Sequence, residues 1–305
     1  MDSLKSDMRG LIDLESTPFF KTKMGVLHNT DALKFLASFK KESVEMIFSD
    51  PPYNIGKADW DNFKDMESYL EWIEKWVTKC HDVLKADGTL FIMGFPENLA
   101  EIKAKVSHIF PHCRWLTWHY RNKPRLSNKD WVRSSEGILH LRKNKDFTFK
   151  IDAIREPYNI HTKKYPKHPQ AESSQYGNGK KYVWKPHYKG AKPRDVIEIP
   201  AINNAMKEST GHPTQKPEAL MRKLILATTN QGEIVLDPFG GSGTTYAVCE
   251  QLGRYWAGSE LNRDYCEIIK KRLEEMPCRS LSYWLSIDEK QRIHRTKVRL
   301  GKLLR

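Results

Sequence analysis

The chain has 305 residues, with 51 Lys and Arg against 38 Asp and Glu and a formal charge of +13. A mean hydropathy of −0.66 with 39% hydrophobic residues speaks against a membrane-embedded protein, yet leaves enough apolar material for one large core with an insertion. No apolar run approaches the about 20 residues of a membrane helix. Residues 1–20 lack the apolar stretch of a signal peptide, and five Cys without a CxxC pair argue against a disulfide framework or zinc finger and for a reducing cytoplasm.

In chain order, Val44–Phe48 reads as a buried strand. Apolar residues from Met66 to Leu84 then fall at helical spacing. Asp87-Gly88 predicts a turn into a strand over Thr89–Met93, and Arg114–Tyr120 and Gly137–Leu141 predict an antiparallel pair. Later come a helix over Pro217–Thr229, a strand over Glu233–Leu236, a helix over Ser242–Leu252, a strand over Tyr255–Ser259 and a helix over Asp264–Glu275. This alternation predicts an α/β protein with a mostly parallel sheet and helices on both faces. The expected organisation is an N-terminal arm (1–24), a first half of the sheet domain (25–143), an inserted basic module (144–210), a second half (211–275) and a basic tail (276–305).

The charge is concentrated. Between Arg121 and Asp195 there are 19 Lys and Arg against 7 Asp and Glu, interleaved with Trp131, Tyr158, Tyr165, Tyr176, Tyr182, Trp184 and Tyr188. Cations neutralise phosphates and aromatic rings stack on bases, so this composition suits nucleic acid; a solvated basic loop is the bland alternative. Lys123, Arg125, Lys129, Arg133, Lys180, Lys181 and Lys185 are the candidate contacts. A second basic run, Lys290–Arg305, reads as a solvated helix or tail.

Two segments stand where an open α/β sheet places ligands, at the carboxyl ends of strands. In Asp237-Pro238-Phe239-Gly240-Gly241-Ser242-Gly243-Thr244, three glycines between strand and helix let backbone approach a ligand and expose N–H groups. Glu260 closes the next strand, where a carboxylate can hold ribose hydroxyls. The GGxG spacing and the acidic Asp237 tilt the loop away from a dinucleotide and towards a cationic or amino-bearing cofactor. In Asp50-Pro51-Pro52-Tyr53, consecutive prolines stiffen the backbone and leave carbonyls as acceptors. With the Asp50 carboxylate and the flat Tyr53 face, this suits a planar group carrying –NH2, such as adenine; a strand-ending turn is the alternative.

Together these segments resemble the S-adenosylmethionine-dependent amino-methyltransferases of DNA. The catalytic segment precedes the cofactor loop with a basic stretch between them, which is the permuted β-group order of restriction–modification and orphan adenine enzymes. Asn29-Thr30-Asp31-Ala32-Leu33 and His212-Pro213-Thr214-Gln215-Lys216-Pro217 resemble two further motifs of that family. The resemblance spans roughly residues 25–275. It implies a Rossmann-like methyltransferase domain that binds S-adenosylmethionine through Asp31, Asp50, His212, Thr214, Gln215, Lys216, Asp237, Phe239, Gly240, Gly241, Ser242, Gly243, Thr244 and Glu260. It also implies that Asp50, Pro51, Pro52 and Tyr53 act on a flipped adenine of double-stranded DNA, with the basic insertion recognising the target. A cognate restriction endonuclease is an expected partner, and the protein is a monomer or homodimer.

Cytosine-N4 methylation is the nearest alternative, although that class usually has Ser where Asp50 stands; a DNA-binding protein with an inactive methyltransferase fold is the other. Cytosine-C5 methylation needs a thiolate nucleophile, and Pro277-Cys278 lies far from both segments. The spacing of a zinc deaminase is absent, and no metal site is expected. Lys57–Trp60 is expected to form a loop near the cofactor, anchored by Trp60.

Overall fold

The computed structural model describes residues 17–56, 62–122, 129–166, 168–170, 182–277 and 283. The main elements in chain order are β1 (Phe20–Lys21), β2 (Gly25–Asn29), α1 (Ala32–Ala37), β3 (Val44–Ser49), α2 (Met66–Val83), β4 (Leu84–Gly94), α3 (Pro96–Val106), β5 (His112–His119) and β6 (Ser135–Arg142). They continue with α4 (Ile160–Lys164), β7 (His168–Gln170), β8 (Tyr182–Trp184), β9 (Val196–Glu198), α5 (Glu218–Thr228), β10 (Ile234–Asp237), α6 (Thr244–Leu252), β11 (Tyr255–Glu260) and α7 (Arg263–Glu274).

Nine strands form one sheet in the order β1-β2-β11-β10-β3-β4-β6-β5-β9. From β2 through β4 the neighbours are parallel; β1 and β6 run against their neighbours. The two halves of the chain meet where β10 pairs with β3, Leu236 opposite Ile47. This is the reversal point of strand order at which open α/β sheets bind ligands.

Alternating side chains put the two faces of β3 to different uses. Ile47 joins a core with Phe35 of α1, Tyr69, Ile73, Trp76 and Cys80 of α2, and Leu99 and Ile102 of α3. Met46 faces the other way, where Thr228 of α5 donates to its sulfur. Helix α2 forms where expected because Asp65 and Ser68 build a reciprocal cap at its start and its apolar stripe is buried. Strand β4 departs from expectation. It begins at Leu84, and Asp87-Gly88 lies inside it; the extra residues are absorbed by an irregularity opposite Val44–Met46.

Among the described residues, those up to 149 and from 195 onward belong to one compact unit, and those between 150 and 194 to a second. The sheet unit resumes at 195 and not after 210, because β9 pairs with β5, Trp118 Nε1 donates to Ile199 O (2.8 Å), and the Asn122 side chain binds both amide groups of Ala201 (2.7 and 2.8 Å). Within the second unit, Arg155 donates to Asp152 (2.7 Å) and Gly190 O (2.9 Å), joining segments 35 residues apart. Hydrogen bonds from Arg155 and Lys189 pull the Asp152 carboxyl down to about 2. No helix among the described residues is long and apolar enough to cross a membrane.

Candidate active site

Four adjacent parallel strands, β2, β11, β10 and β3, end beside Asp31, Glu260, the glycine loop and Asp50 respectively. The register (Asp237 opposite Gly258, Glu260 opposite Asn29) puts these ends at one edge of the sheet.

The glycine loop is shaped from below. Gly241 and Gly243 adopt φ of 51° and 71°, a left-handed conformation that side chains disfavour. Gly240 has no room for a side chain, since a Cβ would lie 2.7 Å from the Tyr246 hydroxyl. Tyr246 stacks on Trp256 and donates to Asp237 O (2.8 Å). Asp237 itself is buried and accepts from the Thr245 hydroxyl and from Phe239 N (3.0 Å). Burial pushes its carboxyl well above the usual range, and those two donors oppose the shift. Asp237, expected at the cofactor, is only 3% exposed, and each of its oxygens accepts one hydrogen bond that folds the loop. Phe239 is likewise turned inward, its ring against Trp72 and Trp76. Ser242 and Thr244 are buried too. Their hydroxyls lie 3.0 Å apart, and Thr244 donates to Lys216 O (3.0 Å) while Arg272 reaches Ser242 O and Thr244 Oγ1 (both 3.0 Å).

Glu260 accepts Gly241 N and Asn262 N, one on each oxygen at 2.8 Å. Burial raises its pKa against those donors. Each oxygen keeps a second lone pair, so the carboxylate fits a pair of ribose hydroxyls. Asp31 caps α1 by accepting Leu33 N (2.9 Å) and Lys34 N (3.3 Å) through Oδ1 alone. The bare backbone of Gly241, beside the His212 ring and the Phe239 carbonyl, and the acceptors Asp31 and Glu260 form a cradle that fits an amino- and hydroxyl-bearing nucleoside.

The segment 208–217 divides its expected residues. His212 packs edge-on against Tyr265 (4.4 Å), and its Nδ1 accepts Thr214 N (3.3 Å). Gln215 accepts Thr210 N and Oγ1 (both 2.8 Å) and donates to Glu208 O, so it holds the segment's own fold; it was expected at the cofactor. Lys216 was expected there as well, but its ammonium lies 2.7 Å from Asp50 Oδ2 and 3.6 Å from Glu136.

Asp50 thus sits in a network. Tyr53 donates its hydroxyl to Asp50 Oδ1 (2.6 Å) and lies 3.3 Å from Glu136 Oε2; Tyr120 reaches Glu136 Oε1 at 3.4 Å. Burial first, and then Asp50 and Glu136, push the Tyr53 phenol well above its ordinary value; burial and Glu136, eased by Arg133 and Lys216, bring Tyr120 to about 12. The backbone of the segment is pinned by Tyr69, which donates to Pro52 O (2.9 Å), and by Asn98, which donates to Tyr53 O. The Tyr53 ring meets Phe95 edge-on at 4.9 Å. Phe95 is covered in turn by the Arg133 guanidinium (4.0 Å), which Glu97 holds through two 3.2 Å bonds. Arg133, expected as a DNA contact, is exposed and packs against the pocket wall at Phe95.

Of the other expected DNA contacts, Lys129 and Lys185 are exposed, and Lys123, Arg125, Lys180 and Lys181 lie outside the described residues, as do Lys57–Trp60 and Cys278. Glu136, Tyr120, Phe95 and Asn98 were not singled out from the sequence. The available signal was Glu136, the one carboxylate in the strand Ser135–Arg142. Among the described residues no group of His, Cys, Asp and Glu is arranged to hold a metal ion.

A parallel sheet with a glycine loop on one strand end and an acidic Pro-Pro-Tyr turn on its neighbour defines an amino-group methyltransferase. The chain belongs to the DNA methylase family N6_N4_Mtase, which it matches over residues 44–271. It is a DNA methyltransferase with S-adenosylmethionine as methyl donor. It is 34% identical over 268 residues to DNA adenine methyltransferase YhdJ of Escherichia coli (strain K12), covering 85% of this chain and 86% of that one. To Type II methyltransferase M.HpaI of Haemophilus parainfluenzae it is 32% identical over 268 residues, covering 86% and 77%. Among solved structures, the complex of M1.HpyAVI with SAM matches with a TM-score of 0.56 and 26% identity over 82% of this chain and 99% of that one. The cytosine-N4-specific PvuII DNA methyltransferase shares the fold, with a TM-score of 0.65 at 17% identity over 92% and 97%.

Proposed function

We propose that the protein methylates the N6 amine of adenine at specific sites in double-stranded DNA. The observation that carries this reading is the adjacency of two strand ends: the Asp50–Tyr53 turn after β3 and the glycine loop after β10, on strands paired in parallel. Asp50, where N4-cytosine enzymes usually have Ser, and the adenine specificity in the name of YhdJ favour adenine over cytosine.

The exocyclic amine of adenine is a weak nucleophile because its lone pair is delocalised into the ring. Asp50 accepts one N–H of that amine, and the rigid Pro51 carbonyl accepts the other, which localises the lone pair. When bound, S-adenosylmethionine would supply a methyl group on a positively charged sulfur, which would leave as a neutral thioether as the N–CH3 bond forms, the methylated amine then giving up one proton to solvent. Asp31, Glu260, His212 and the backbone of Gly240–Gly243 hold that donor, and positioning and electrostatics provide the acceleration. The target base leaves the helical stack to reach Asp50, and the Tyr53 ring, fixed by its hydroxyl bonds and by Phe95, offers it a face.

Target recognition falls to the 150–194 unit, which carries eleven Lys and Arg against three Asp and Glu and exposes Tyr165 and Tyr188. Lys185→Ala is expected to weaken DNA binding and reduce the slope of log affinity against log salt by about 1, the signature of one lost phosphate contact. Arg133→Ala is expected to leave that slope unchanged while slowing methylation, since Arg133 supports Phe95. Affinity measured from low to high salt for both variants checks the contrast.

The reading extends to action in the cytoplasm, as a monomer or homodimer, beside a cognate restriction endonuclease. Its test is transfer of tritiated methyl from S-adenosylmethionine to unmethylated DNA, followed by nucleoside analysis. N6-methyladenine is the expected product. N4-methylcytosine would overturn the choice of base, and absence of transfer to any DNA would overturn the activity.

A further inference from the structure

Asp50 is the acceptor the reaction needs, yet both of its oxygens are already engaged by the protein's own side chains, Oδ1 by Tyr53 and Oδ2 by Lys216. A carboxylate neutralised by an ammonium 2.7 Å away is a poor acceptor for an arriving amine, because its charge is already spent. Nor can the ammonium simply be left behind. The Lys216 side chain is only 8% exposed, and an unpaired charge buried to that degree is strongly unfavourable.

Glu136 resolves the conflict. It is the second residue of β6, two strands away from β3 across β4, and its side chain is 6% exposed. Its Oε2 stands 3.6 Å from the same ammonium and 3.3 Å from the same Tyr53 hydroxyl that Asp50 uses. A half-buried and a buried carboxylate therefore share one ammonium and one phenol. Only about 1 Å of movement at the tip of Lys216 would close the longer separation to an ordinary charged hydrogen bond.

We propose that Lys216 is an exchangeable counter-ion, paired with Asp50 while the target pocket is empty and passing to Glu136 when the target amine takes its place at Asp50. The proposal rests on the methyltransferase reading above. The ammonium keeps its three protons throughout; only its partner changes. Glu136 is then a positioning residue, acting on the reaction through Lys216 and Tyr53. The charge balance agrees: burial disfavours the Lys216 ammonium, but Asp50 and Glu136 outweigh burial and hold its pKa above the usual lysine value. Without the ammonium, the two carboxylates would repel each other across Tyr53.

The experiment compares the wild type with Glu136→Gln, Glu136→Asp, Lys216→Met and the double variant Glu136→Gln/Lys216→Met in single-turnover methylation of duplex DNA between pH 5 and pH 9. Glu136→Gln removes the second seat and locks the ammonium on Asp50, so the rate is expected to fall about 100-fold while DNA and cofactor affinities change less than about threefold. Glu136→Asp is expected to recover at least about tenfold of that loss. Lys216→Met leaves Asp50 facing Glu136, with Tyr53 and Tyr120 beside them and the charges of Asp237 and Arg133 further off. Two like charges then face each other with no cation between them, and the acid limb of the rate profile is expected to move up by about one pH unit. The double variant has one carboxylate and no ammonium, so it is expected to be faster than Glu136→Gln alone. A double variant as slow as the product of the two single losses, or an unmoved acid limb in Lys216→Met, would overturn the exchange. A wild type that methylates no DNA would instead overturn the activity itself, so the two failures are distinguishable.

Discussion

Asp50→Asn is expected to slow methyl transfer by about a thousandfold, with cofactor and DNA binding retained. The replacement keeps the volume and removes the charge that draws on the target amine. Asn offers a neutral acceptor and brings two N–H donors of its own. In this site those donors have poor choices, because Asp50 faces the Tyr53 hydroxyl at 2.6 Å and the Lys216 ammonium at 2.7 Å, and both are donors already. The fold survives the change because Glu136 stands 3.6 Å from the ammonium and can take it over. Single-turnover methylation and equilibrium DNA binding, measured on the same preparation, separate the two effects. Residual activity within tenfold of wild type would remove Asp50 from the reaction.

Gly258→Ala is expected to be the most damaging single change away from the reacting groups. A Cβ at 258 would lie 2.0 Å from the Tyr246 oxygen and 2.1 Å from its ring carbon Cζ. The Tyr246 ring cannot retreat cheaply. It is fully buried, stacked on Trp256 at 4.6 Å, and held by its hydroxyl bond to Asp237 O. Overpacking of this kind costs about 3 kcal/mol. At about 2–4 °C per kcal/mol for a domain of this size, calorimetry should show the melting temperature lowered by roughly 6–12 °C. The damage is expected to reach the cofactor as well, since the same hydroxyl lies beneath Gly240 and would be pushed into the loop. Cofactor affinity should therefore fall in the folded variant. An unchanged melting temperature would mean that the ring has room the packing does not reveal.

Much of this site was legible because its chemistry is written in short contiguous segments. Three glycines beside Asp237, and Asp50 followed by two prolines, are local patterns with local consequences: φ angles that favour Gly, and a stiff turn closing a strand. The alternation of apolar runs was equally local, and the helices and strands expected from it fall within a residue or two of their positions, apart from the early start of β4; β2, α1 and α3 had no counterpart in that reading. What could not be read was the direction in which a polar side chain turns. Asp237 and Glu260 are both carboxylates at strand ends beside one loop. Asp237 is drawn under the loop by Thr245 and Phe239, while Glu260 keeps capacity to bind more.

The same holds for partners far apart in sequence. Lys216 lies in a segment whose resemblance pointed to the cofactor, and its charge is claimed by Asp50, 166 positions earlier, and by Glu136, 80 positions earlier. Arg133, expected from its charge as a phosphate contact, also covers Phe95 and pairs with Glu97, 36 positions earlier. The sequence by itself determined the kind of sheet, the two strand ends that carry the chemistry, and the methyltransferase class, because periodicity and turn residues act over a few neighbours. Only the tertiary structure decided which charges meet. In a buried site a charge is settled by whichever partners the strand order brings within about 4 Å, and that order is a property of the whole sheet.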